Sequence, residues 1–452
     1  SPLLRNNTDS AALGRRRSVV MGQGLGCPRP SGQASSMSAS KPGTKKTTHP
    51  MTPSSTHDDL SKVVFEATNG AATTRMWGVE SRDGRGVFEK PSRALAWAAH
   101  VEPAKADMDR FAVCVRSSSA RGEPASIVAA GVFDGHGIHG QTNWGASVAQ
   151  LAARRVVEAC SLPFGVALDA ETERKALCRH IFLEFQRRHE ERYDRDVAAK
   201  VDDERSKFEA QHGYSPGART LPAEGGCTAT VARLEGDSLA LAWVGDSRCV
   251  LGSVSKQKVP TARALTTDHN VTTNLEERDR CEAAGGHVLG RFLGTTAAEG
   301  MLQVTRSLGD RAHHQNDVLL AEPDYCQLEL APEHRFVLVA SDGLWDHLTD
   351  AQAVDILCNQ LFVMESPDDL DDDPLFALSD DHLAARLHMA AQNLVKTSNH
   401  KRLAAPEPKK PDDTSCLLVL FRPAEASSSE SRRVGRPHST NLNGGTVPPV
   451  AT

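Results

Sequence analysis

The chain has 452 residues, of which 39% are hydrophobic, 24% are charged and 5% are aromatic, and its formal net charge is −6. This length suits one large globular domain with tails, or two smaller domains. The mild negative charge gives no whole-chain argument for binding nucleic acid, and the scarcity of aromatic residues weakens an interpretation based on stacked bases. No stretch is apolar enough over a sufficient length to span a bilayer, and no secretory signal pattern is present, so membrane association is not expected.

The two ends of the chain have the composition of disordered tails. Residues 1–60 are rich in Ser, Thr, Pro and Gly with few large apolar residues, and residues 423–452 are similar. RRRS at Arg15–Ser18 would suit a basophilic kinase, and MGQGLGC at Met21–Cys27 would resemble an acylation signal only if translation began at Met21. Plain disorder is the preferred interpretation of both. Between the tails the sequence predicts one folded domain over residues 85–422.

The globular region has a strand-and-helix rhythm. In chain order the predicted elements are a strand SIVAAGVF, a helix GASVAQLAARRVVEACSL, a long charged helix ERKALCRHIFLEFQRRHEERYDRDVAAKVDDERSKFEA, a hairpin CTATVARLEGDSLALAWV turning at EGD, a helix LEERDRCEA stopped by a Gly pair, a strand RFVLVA, a late helix DHLAARLHMAAQNLVKTS and a final strand SCLLVLF. Hairpin-linked strands outnumber strand–helix–strand crossovers, and the helices come in blocks. This pattern favours antiparallel sheets flanked by helices over a doubly wound parallel sheet.

Two segments interrupt the rhythm. Residues 365–382 are strongly acidic and contain proline, which predicts a solvated surface insertion, with a regulatory or basic-partner surface as the alternative. Residues 292–300 are small and could form a flap near a functional site. The ten cysteines show no CxxC pairing, and several lie in apolar patterns. They predict buried free thiols in a reducing compartment, hence the cytoplasm or the nucleus.

Aspartates in short turn-shaped motifs, most of them next to apolar strand patterns, are the most informative feature of the chain. They are Asp109, Asp134, Asp246, Asp342, Asp346 and Asp412. An aspartate at the end of a buried strand is costly unless something pairs with it. Carboxylate oxygens suit Mg²⁺ or Mn²⁺, whereas a zinc site would favour Cys or His. Each aspartate taken alone is equally well explained as a turn or cap residue.

Seven motifs occur in the order seen in type-2C metal-dependent Ser/Thr protein phosphatases, which the chain therefore resembles. They are GVFDGHG, GGCTATV, WVGDSRCVL, LTTDHN, GMLQVTRSLGD, VLVASDGLWD and DDTSCLLVLF. Any one motif alone would be weak, because a turn of this kind is ordinary loop chemistry. The resemblance implies an α+β fold, a β-sandwich of two antiparallel sheets flanked by α-helices, with a binuclear Mn²⁺/Mg²⁺ centre at one end. It also implies a monomer that hydrolyses phosphoserine and phosphothreonine in phosphorylated proteins, using a metal-activated water.

The resemblance also suggests a role for each core residue. Asp134 resembles the ligand that bridges the two core ions, and the carbonyl of Gly135 resembles the neighbouring backbone ligand. Asp342 and Asp412 resemble the ligands of the second ion. Asp109 resembles the residue that orients the metal-bound waters.

Further residues resemble the periphery of the family's site. Asp246 and Asp346 resemble ligands of a weaker third ion, although Asp246 could instead cap its own hairpin turn. His136 resembles the general acid that protonates the leaving oxygen, and the alternative is a histidine that only satisfies its turn. Arg306 and Asp310 are interpreted as a structural ion pair or as neighbours of a phosphate-binding loop, and not as catalytic residues.

Two departures from the family pattern affect what the resemblance implies. Many members carry an Arg, five residues before the position matched by Asp109, that grips the substrate phosphate. Ala104 stands there in this chain, and the following Lys105 could offer a point charge but not a bidentate fork. The last motif begins with two aspartates, as in plant and protist members, where many animal members have Asp-Asn. Alternatives to an active protein phosphatase are a pseudoenzyme that binds partners, which the retained aspartates disfavour, and a hydrolase of small phosphoesters.

Overall fold

A computed structural model describes most of the region between the predicted tails. The described residues are 65–69, 72–88, 93–104, 107–118, 126–139, 142–163, 170–212, 225–295, 300–314, 317–362, 375, 378–407 and 410–422. The predicted tails at 1–60 and 423–452 lie outside the described residues, as does most of the acidic segment 365–382. In the ranges described, no helix is both long and apolar enough to cross a membrane.

The first large sheet has seven strands, and every neighbouring pair in it is antiparallel. In spatial order its strands are β1 (Phe65–Asn69), β2 (Ala72–Gly78), β5 (Arg110–Ser118), β6 (Ser126–Phe133), β11 (Ala229–Glu235), β12 (Ser238–Val244) and β19 (Asp324–Glu329). The predicted hairpin is confirmed, because Glu235 pairs with Ser238 and Gly236 takes a φ of 61° in the turn. That left-handed conformation suits glycine, which has no Cβ to clash.

The second large sheet has six strands and is also antiparallel throughout. In spatial order its strands are β14 (Pro260–Ala264), β13 (Arg248–Val254), β20 (His334–Ala340), β21 (Thr414–Phe421), β4 (Ala94–Glu102) and β3 (Asp83–Val87). Every residue of β21 is buried. An unbroken buried run is expected for a central strand whose sheet is covered on both faces.

The two sheets face each other across an apolar core, and helices cover their outer faces. Along β21, Leu417 and Val419 belong to the core between the sheets, whereas Leu418 and Leu420 belong to the cluster beneath the outer helices. This alternation is the two-residue period of a β-strand. The predicted fold class, an α+β sandwich of two antiparallel sheets flanked by helices, is therefore confirmed.

The outer helices form one layer on each sheet. They are α1 (Trp144–Cys160) and α2 (Ala170–His212) on the seven-stranded sheet, and α5 (Asp350–Leu361) and α6 (Asp380–Ala404) on the six-stranded sheet. The short helices α3 (Leu275–Ala283) and α4 (Asp342–Trp345) lie in the connections. Helix α3 ends before Gly285, which has a φ of 92°, so the predicted Gly stop is confirmed.

Short strands build three small sheets in the connections. They are β7 (Gly135–His136), β10 (Gly226–Cys227) and β18 (Leu308–Gly309) in one sheet, β15 (His287–Leu289), β16 (Phe292–Gly294) and β17 (Met301–Leu302) in a second, and β8 (Ile138–His139) with β9 (Thr142–Asn143) in a third. A 3₁₀ turn covers Arg311–His313. The predicted flap at 292–300 contains β16, and its residues 296–299 lie outside the described ranges.

Two boundaries differ from the sequence-based expectation. The folded domain starts before residue 85, because β1 and β2 pair into the seven-stranded sheet and Met76 is buried in its core. Leu375, inside the predicted solvated insertion, is fully buried in the cluster that joins α5 and α6. The acidic segment is therefore anchored to the domain at that residue.

Candidate active site

The acidic motifs meet at one end of the sandwich, where strands from both sheets end. Asp134 directly follows β6, and Asp342 opens α4 just after β20. The pKa of Asp134 is raised well above its usual range by burial, and then by the negative charges of Asp109, Asp342, Asp412 and Asp246. Aspartates far apart in sequence are thus close enough to repel one another, as the motif analysis predicted.

The turn that carries Asp134 is fixed by a partner strand. The Asp134 backbone N–H donates to the Thr228 hydroxyl oxygen at 3.0 Å, and the Thr228 N–H donates to the Asp134 carbonyl at 2.8 Å. Thr228 is further held at 2.7 Å by the Ser247 hydroxyl. The GGCTATV motif therefore has a structural task, which is to set the position of Asp134.

Gly135 lies where any side chain would collide with backbone. A Cβ placed there would be 2.7 Å from the Met108 carbonyl oxygen and 2.8 Å from the Gly145 carbonyl oxygen. The loop that bears Asp109 therefore packs directly on the Asp134 turn. Glycine at this position permits that close approach and also exposes its own backbone to the acidic cluster.

Asp109 is the most unusual carboxylate of the cluster. Its residue is 1% exposed, and within the described part of the chain neither carboxylate oxygen receives a hydrogen bond. Burial, followed by repulsion from Asp413, raises its pKa to about 7. A buried carboxylate without a donor is costly, so this position calls for a partner that the protein itself does not provide.

Asp413, which the sequence analysis did not single out, holds the Asp109 loop in place. Its carboxylate accepts hydrogen bonds from the backbone N–H groups of Ala104 at 2.5 Å, of Met108, and of Asp109 at 3.4 Å. It is 4% exposed. The sequence signal for it was the second aspartate of DDTS, directly before the strand TSCLLVLF, which is wholly buried.

The turns that carry Asp342 and Asp412 are joined to each other. The Ser341 N–H donates to the Ser415 carbonyl at 3.1 Å, and the Ser415 N–H donates to the Ser341 hydroxyl oxygen at 3.0 Å. These bonds extend the pairing of β20 with β21 to the edge of the sheet. Asp342 is partly buried, and Asp412 lies at the solvent edge.

The remaining two predicted ligands lie toward the rim. Burial raises the pKa of Asp246 well above its usual range, and the charges of Asp342, Asp268 and Asp346 add to this effect. Asp346, at the end of α4, is exposed. Partial desolvation, followed by repulsion from Asp413 and Asp346, also raises the pKa of Asp412.

His136 is paired with Asp310, and the small sheet explains why they meet. Gly226 in β10 pairs with His136 on one side and with Gly309 on the other, which places Asp310 beside the histidine. The His136 Nε2 lies 2.6 Å from the Asp310 carboxylate, to which the Ser307 hydroxyl also donates at 2.6 Å. A side chain at Gly226 would overlap that carboxylate.

The charges of this pair favour an ionised histidine. Burial alone would lower the pKa of His136, but Asp310 and then Asp342 outweigh it, so its pKa is raised. Burial likewise opposes ionisation of Asp310, but His136 and Ser307 together lower its pKa. Sequence reasoning placed Asp310 in a structural role and did not connect it with His136.

The predicted ion pair between Arg306 and Asp310 is wrong. Arg306 donates to Glu277 at 2.7 Å and to Asp324 at 2.8 Å, while Asp310 is occupied by His136 and Ser307. The two side chains diverge because they are four residues apart in a segment that changes direction at Leu308–Gly309. Arg306 therefore stabilises the base of α3.

The carboxylates of the acidic cluster lie in an open arrangement and do not form a complete set of ligands around one point. Among the residues described, no three His, Cys, Asp or Glu side chains already form a compact set that could hold one ion. Mg²⁺ and Mn²⁺ centres commonly use few protein ligands and retain several waters, so an open arrangement of carboxylates suits them. The unsatisfied Asp109 oxygens and the mutual repulsion of the aspartates both fit such a group.

A model of the family described as "Protein phosphatase 2C" matches residues 100–372, which is more than half of the chain. The chain belongs to this family. The match ends before Asp412 and Asp413, whose place beside the cluster comes from the pairing of β21 in the six-stranded sheet. The motif-based identification of the family is thereby confirmed.

Plant relatives show the same family. "Probable protein phosphatase 2C 2" of Arabidopsis thaliana is 31% identical over 248 residues, covering 55% of this chain and 52% of that protein. "Probable protein phosphatase 2C 30" of the same plant is 36% identical over 145 residues, covering 32% of this chain and 35% of that protein. This protein phosphatase 2C member thus spans about half the length of the first of these relatives and about a third of the length of the second.

Two broader matches cover more of the chain at lower identity. "Probable protein phosphatase 2C 21" of Oryza sativa subsp. japonica is 26% identical, covering 70% of this chain and 81% of that protein. The solved structure of a serine-threonine phosphatase 2C from Toxoplasma gondii is 19% identical, covers 75% of this chain and 97% of that chain, and has a TM-score of 0.49. The description of the fold rests on the strand pairings given above.

Proposed function

We propose that this chain is a metal-dependent protein serine/threonine phosphatase. It would hydrolyse phosphoserine and phosphothreonine at a binuclear Mn²⁺ or Mg²⁺ centre. The observation that carries the proposal is Asp109, a buried carboxylate without a hydrogen-bond donor among the described residues, next to other aspartates that raise one another's pKa. Such a cluster is favourable once divalent cations neutralise it.

The residues fall into two groups of proposed ligands. Asp134, the Gly135 carbonyl, Asp342 and Asp412 would hold the two core ions, and Asp246 and Asp346 would hold a weaker third ion at the rim. When bound, the cations would neutralise the phosphate dianion and make a water nucleophilic at neutral pH. Asp109 would accept a hydrogen bond from the attacking water and orient it, because its oxygens have no other donor in the described ranges.

His136 would supply the proton for the leaving oxygen. Because Nε2 faces the ionised Asp310 carboxylate at 2.6 Å, it donates there, and Nδ1 is the atom that can give a proton to the substrate. Asp310 would act as a positioning residue that fixes the ring and favours the imidazolium form. A serine or threonine alkoxide needs that proton to leave.

The proposed function is tested by assaying the purified chain on a phosphothreonine peptide and on nitrophenyl phosphate. We expect activity on both with Mn²⁺ or Mg²⁺, and loss of activity with EDTA that is reversed by adding metal back. Activity that persists in EDTA would overturn the metal dependence. Binding of a phosphopeptide without turnover would support the pseudoenzyme alternative, and activity on small esters alone would support a small-molecule hydrolase. The monomeric state and the location in cytoplasm or nucleus stay predictions.

A further inference from the structure

A groove adjoins the proposed metal site on the side of α6. Its cavity has a volume of about 260 Å³ and lies between the end of β4, the C-terminal half of α6 and the residues just before β21. We call it the α6 groove and define it by Ala104, Lys396, His400, Arg402, Leu403 and Asp412. It therefore includes both a proposed metal ligand and the position where many relatives carry a phosphate-gripping arginine.

The helical wall of the α6 groove is basic. Lys396 and His400 are exposed, and being four residues apart they lie on one face of the helix. Among the described residues, neither side chain forms an ion pair with a carboxylate. Arg402 also lines the groove, and the exposed Leu403 at its rim adds apolar surface, with 62% of that residue accessible.

The preference of helix C-termini for cations explains only some of the basic residues in this part of α6. Basic residues often occupy the last turn of a helix because they complement its negative end. Lys401 and Arg402 fit that rule, since α6 ends at Ala404. Lys396 lies about two turns earlier, where the helix-end effect has faded. The charge of Lys396 on the groove is therefore not explained by the helix end.

The opposite wall contributes acidic groups. Glu102 and Asp412 both line the α6 groove. Their two negative charges balance the positive charges of the groove as long as no cation neutralises either carboxylate. If Asp412 serves a metal ion, the remaining charge of the groove is positive. Ala104 contributes a short side chain to the groove, and Asp412 belongs both to the groove and to the proposed metal site. The inference below thus rests on the proposed function.

We propose that the α6 groove binds an acidic residue that flanks the scissile phosphoresidue of the protein substrate. Lys396 is the principal contact, and His400 and Arg402 are its neighbours on the same helix. Leu403 packs against the peptide beside the acidic side chain. The groove is then a determinant of substrate specificity, and the scissile phosphate itself is held elsewhere.

The test compares catalytic efficiency on four substrates, which are three phosphothreonine peptides and nitrophenyl phosphate. Two phosphothreonine peptides differ only in having Glu or Gln at the positions flanking the phosphoresidue, and nitrophenyl phosphate has no flanks. We expect wild-type protein to prefer the Glu peptide by about twofold to fivefold in kcat/KM, the scale of an exposed ion pair. Lys396→Glu should abolish that preference and instead favour a third peptide with Lys flanks, while activity on nitrophenyl phosphate stays within about twofold.

The matched control is Lys401→Glu. Lys401 is an exposed lysine of the same helix whose Nζ donates to Gln352 at 2.7 Å, and it does not line the groove. This variant should keep the Glu-peptide preference. Equal preference for Glu and Gln peptides in active wild-type protein would overturn the inference and leave the phosphatase assignment intact.

Two further outcomes are equally decisive. Loss of activity on nitrophenyl phosphate in Lys396→Glu, with an unchanged melting temperature, would mean that Lys396 holds the scissile phosphate, and the flank proposal would be wrong. Absence of metal-dependent activity in the wild-type protein on all substrates would overturn the proposed function, and the inference with it.

Discussion

In two charged clusters of this protein, buried carboxyl groups have pKa values that are shifted in opposite directions. At the base of α3, Glu277 accepts hydrogen bonds from Arg306 at 2.7 Å and from Arg280 at 2.9 Å. Burial alone would raise the pKa of Glu277, but Arg306 and Arg280 outweigh it and lower that pKa to about 2. At the end of the sandwich, burial and the negative charges of neighbouring carboxylates outweigh all other influences and raise the pKa values of Asp134 and Asp109.

The contrast shows which cluster contains its own opposite charges. The arginines around Glu277 supply within the protein all the positive charge that the carboxylate needs. The aspartate cluster gathers negative charge from several strand ends, and its carboxylates raise the pKa values of Asp134 and Asp246. Keeping such an arrangement is costly, so it indicates a function that a structural ion-pair network does not have. Each prediction below tests one side of this difference.

The largest effect is expected in the core of the aspartate cluster. Asp134→Asn and Asp342→Asn would each remove a proposed anionic ligand, so phosphatase activity should fall at least about 10²-fold on peptide and nitrophenyl substrates alike. Asp381→Asn, at an exposed position in the first turn of α6, is the control and should retain activity. Full activity of either core variant under saturating Mn²⁺ would contradict the binuclear centre.

The next effect separates proton donation from metal binding. His136→Ala should slow hydrolysis of a phosphothreonine peptide by about 10²-fold or more, because an alkoxide leaving group needs a proton. Hydrolysis of nitrophenyl phosphate should fall much less, since nitrophenolate leaves without one. Asp310→Asn should reproduce the same substrate dependence at a smaller size. Equal losses on both substrates would show that His136 has a structural role only.

A smaller effect is expected at the rim of the cluster. Asp246→Ala or Asp346→Ala should raise the Mn²⁺ or Mg²⁺ concentration needed for half-maximal activity by about tenfold, because fewer carboxylates bind hard ions more weakly. Metal titration and thermal unfolding are measured on both variants. If Asp246 only caps its hairpin, its variant would instead melt at a lower temperature with unchanged metal dependence.

The smallest effect concerns stability at the paired cluster. Because the folded pKa of Glu277 lies near 2 and below the ordinary value of 4.5, its contribution is present above about pH 5 and is lost as the pH falls toward 2. Glu277→Gln should therefore destabilise the protein by up to about 3 kcal/mol at pH 7 and by much less at pH 3. Urea unfolding at both pH values measures this difference.

The control for that experiment is Glu282→Gln on the same helix. Glu282 is exposed and pairs with Arg278 at 3.2 Å, so its loss should change stability little at either pH. A pH-independent loss in Glu277→Gln would mean that packing, and not charge, determines the contribution of Glu277.

The sequence predicted those features of the structure that depend on residues close together in the chain. Apolar runs predicted the central strands, and the Gly pair after Ala284 predicted the end of α3. Strands β1 (FEATN) and β2 (ATTRMWG) were missed because few of their residues are large and apolar. Their place in the sheet depends on the pairing of β2 with β5 and of β1 with β2. The burial of Leu375 was not predicted, because its neighbours in the sequence are acidic and indicate a solvated segment.

The sequence motifs of the candidate site were predictable, but the contacts between residues of different motifs were not. The family resemblance pointed to the aspartates, and the structure brings them together. The roles of Asp310 and Asp413 depend on contacts with residues 174 and 309 positions away, His136 and Ala104. No local pattern carries such contacts. What the sequence could show was only an extra acidic residue in each motif.

The position of β21 sets the order in which this protein can become active. It is the last strand among the residues that the structure describes, and yet it lies between β4 and β20 in the middle of the six-stranded sheet. It also brings Asp413, which ties down the loop that bears Asp109, more than 300 residues earlier. During synthesis the ribosome must therefore release nearly the whole domain before the aspartates can assemble. A nascent chain that lacks β21 also lacks the anchored positions of Asp412 and Asp413, so we expect the proposed activity only after this strand has been made.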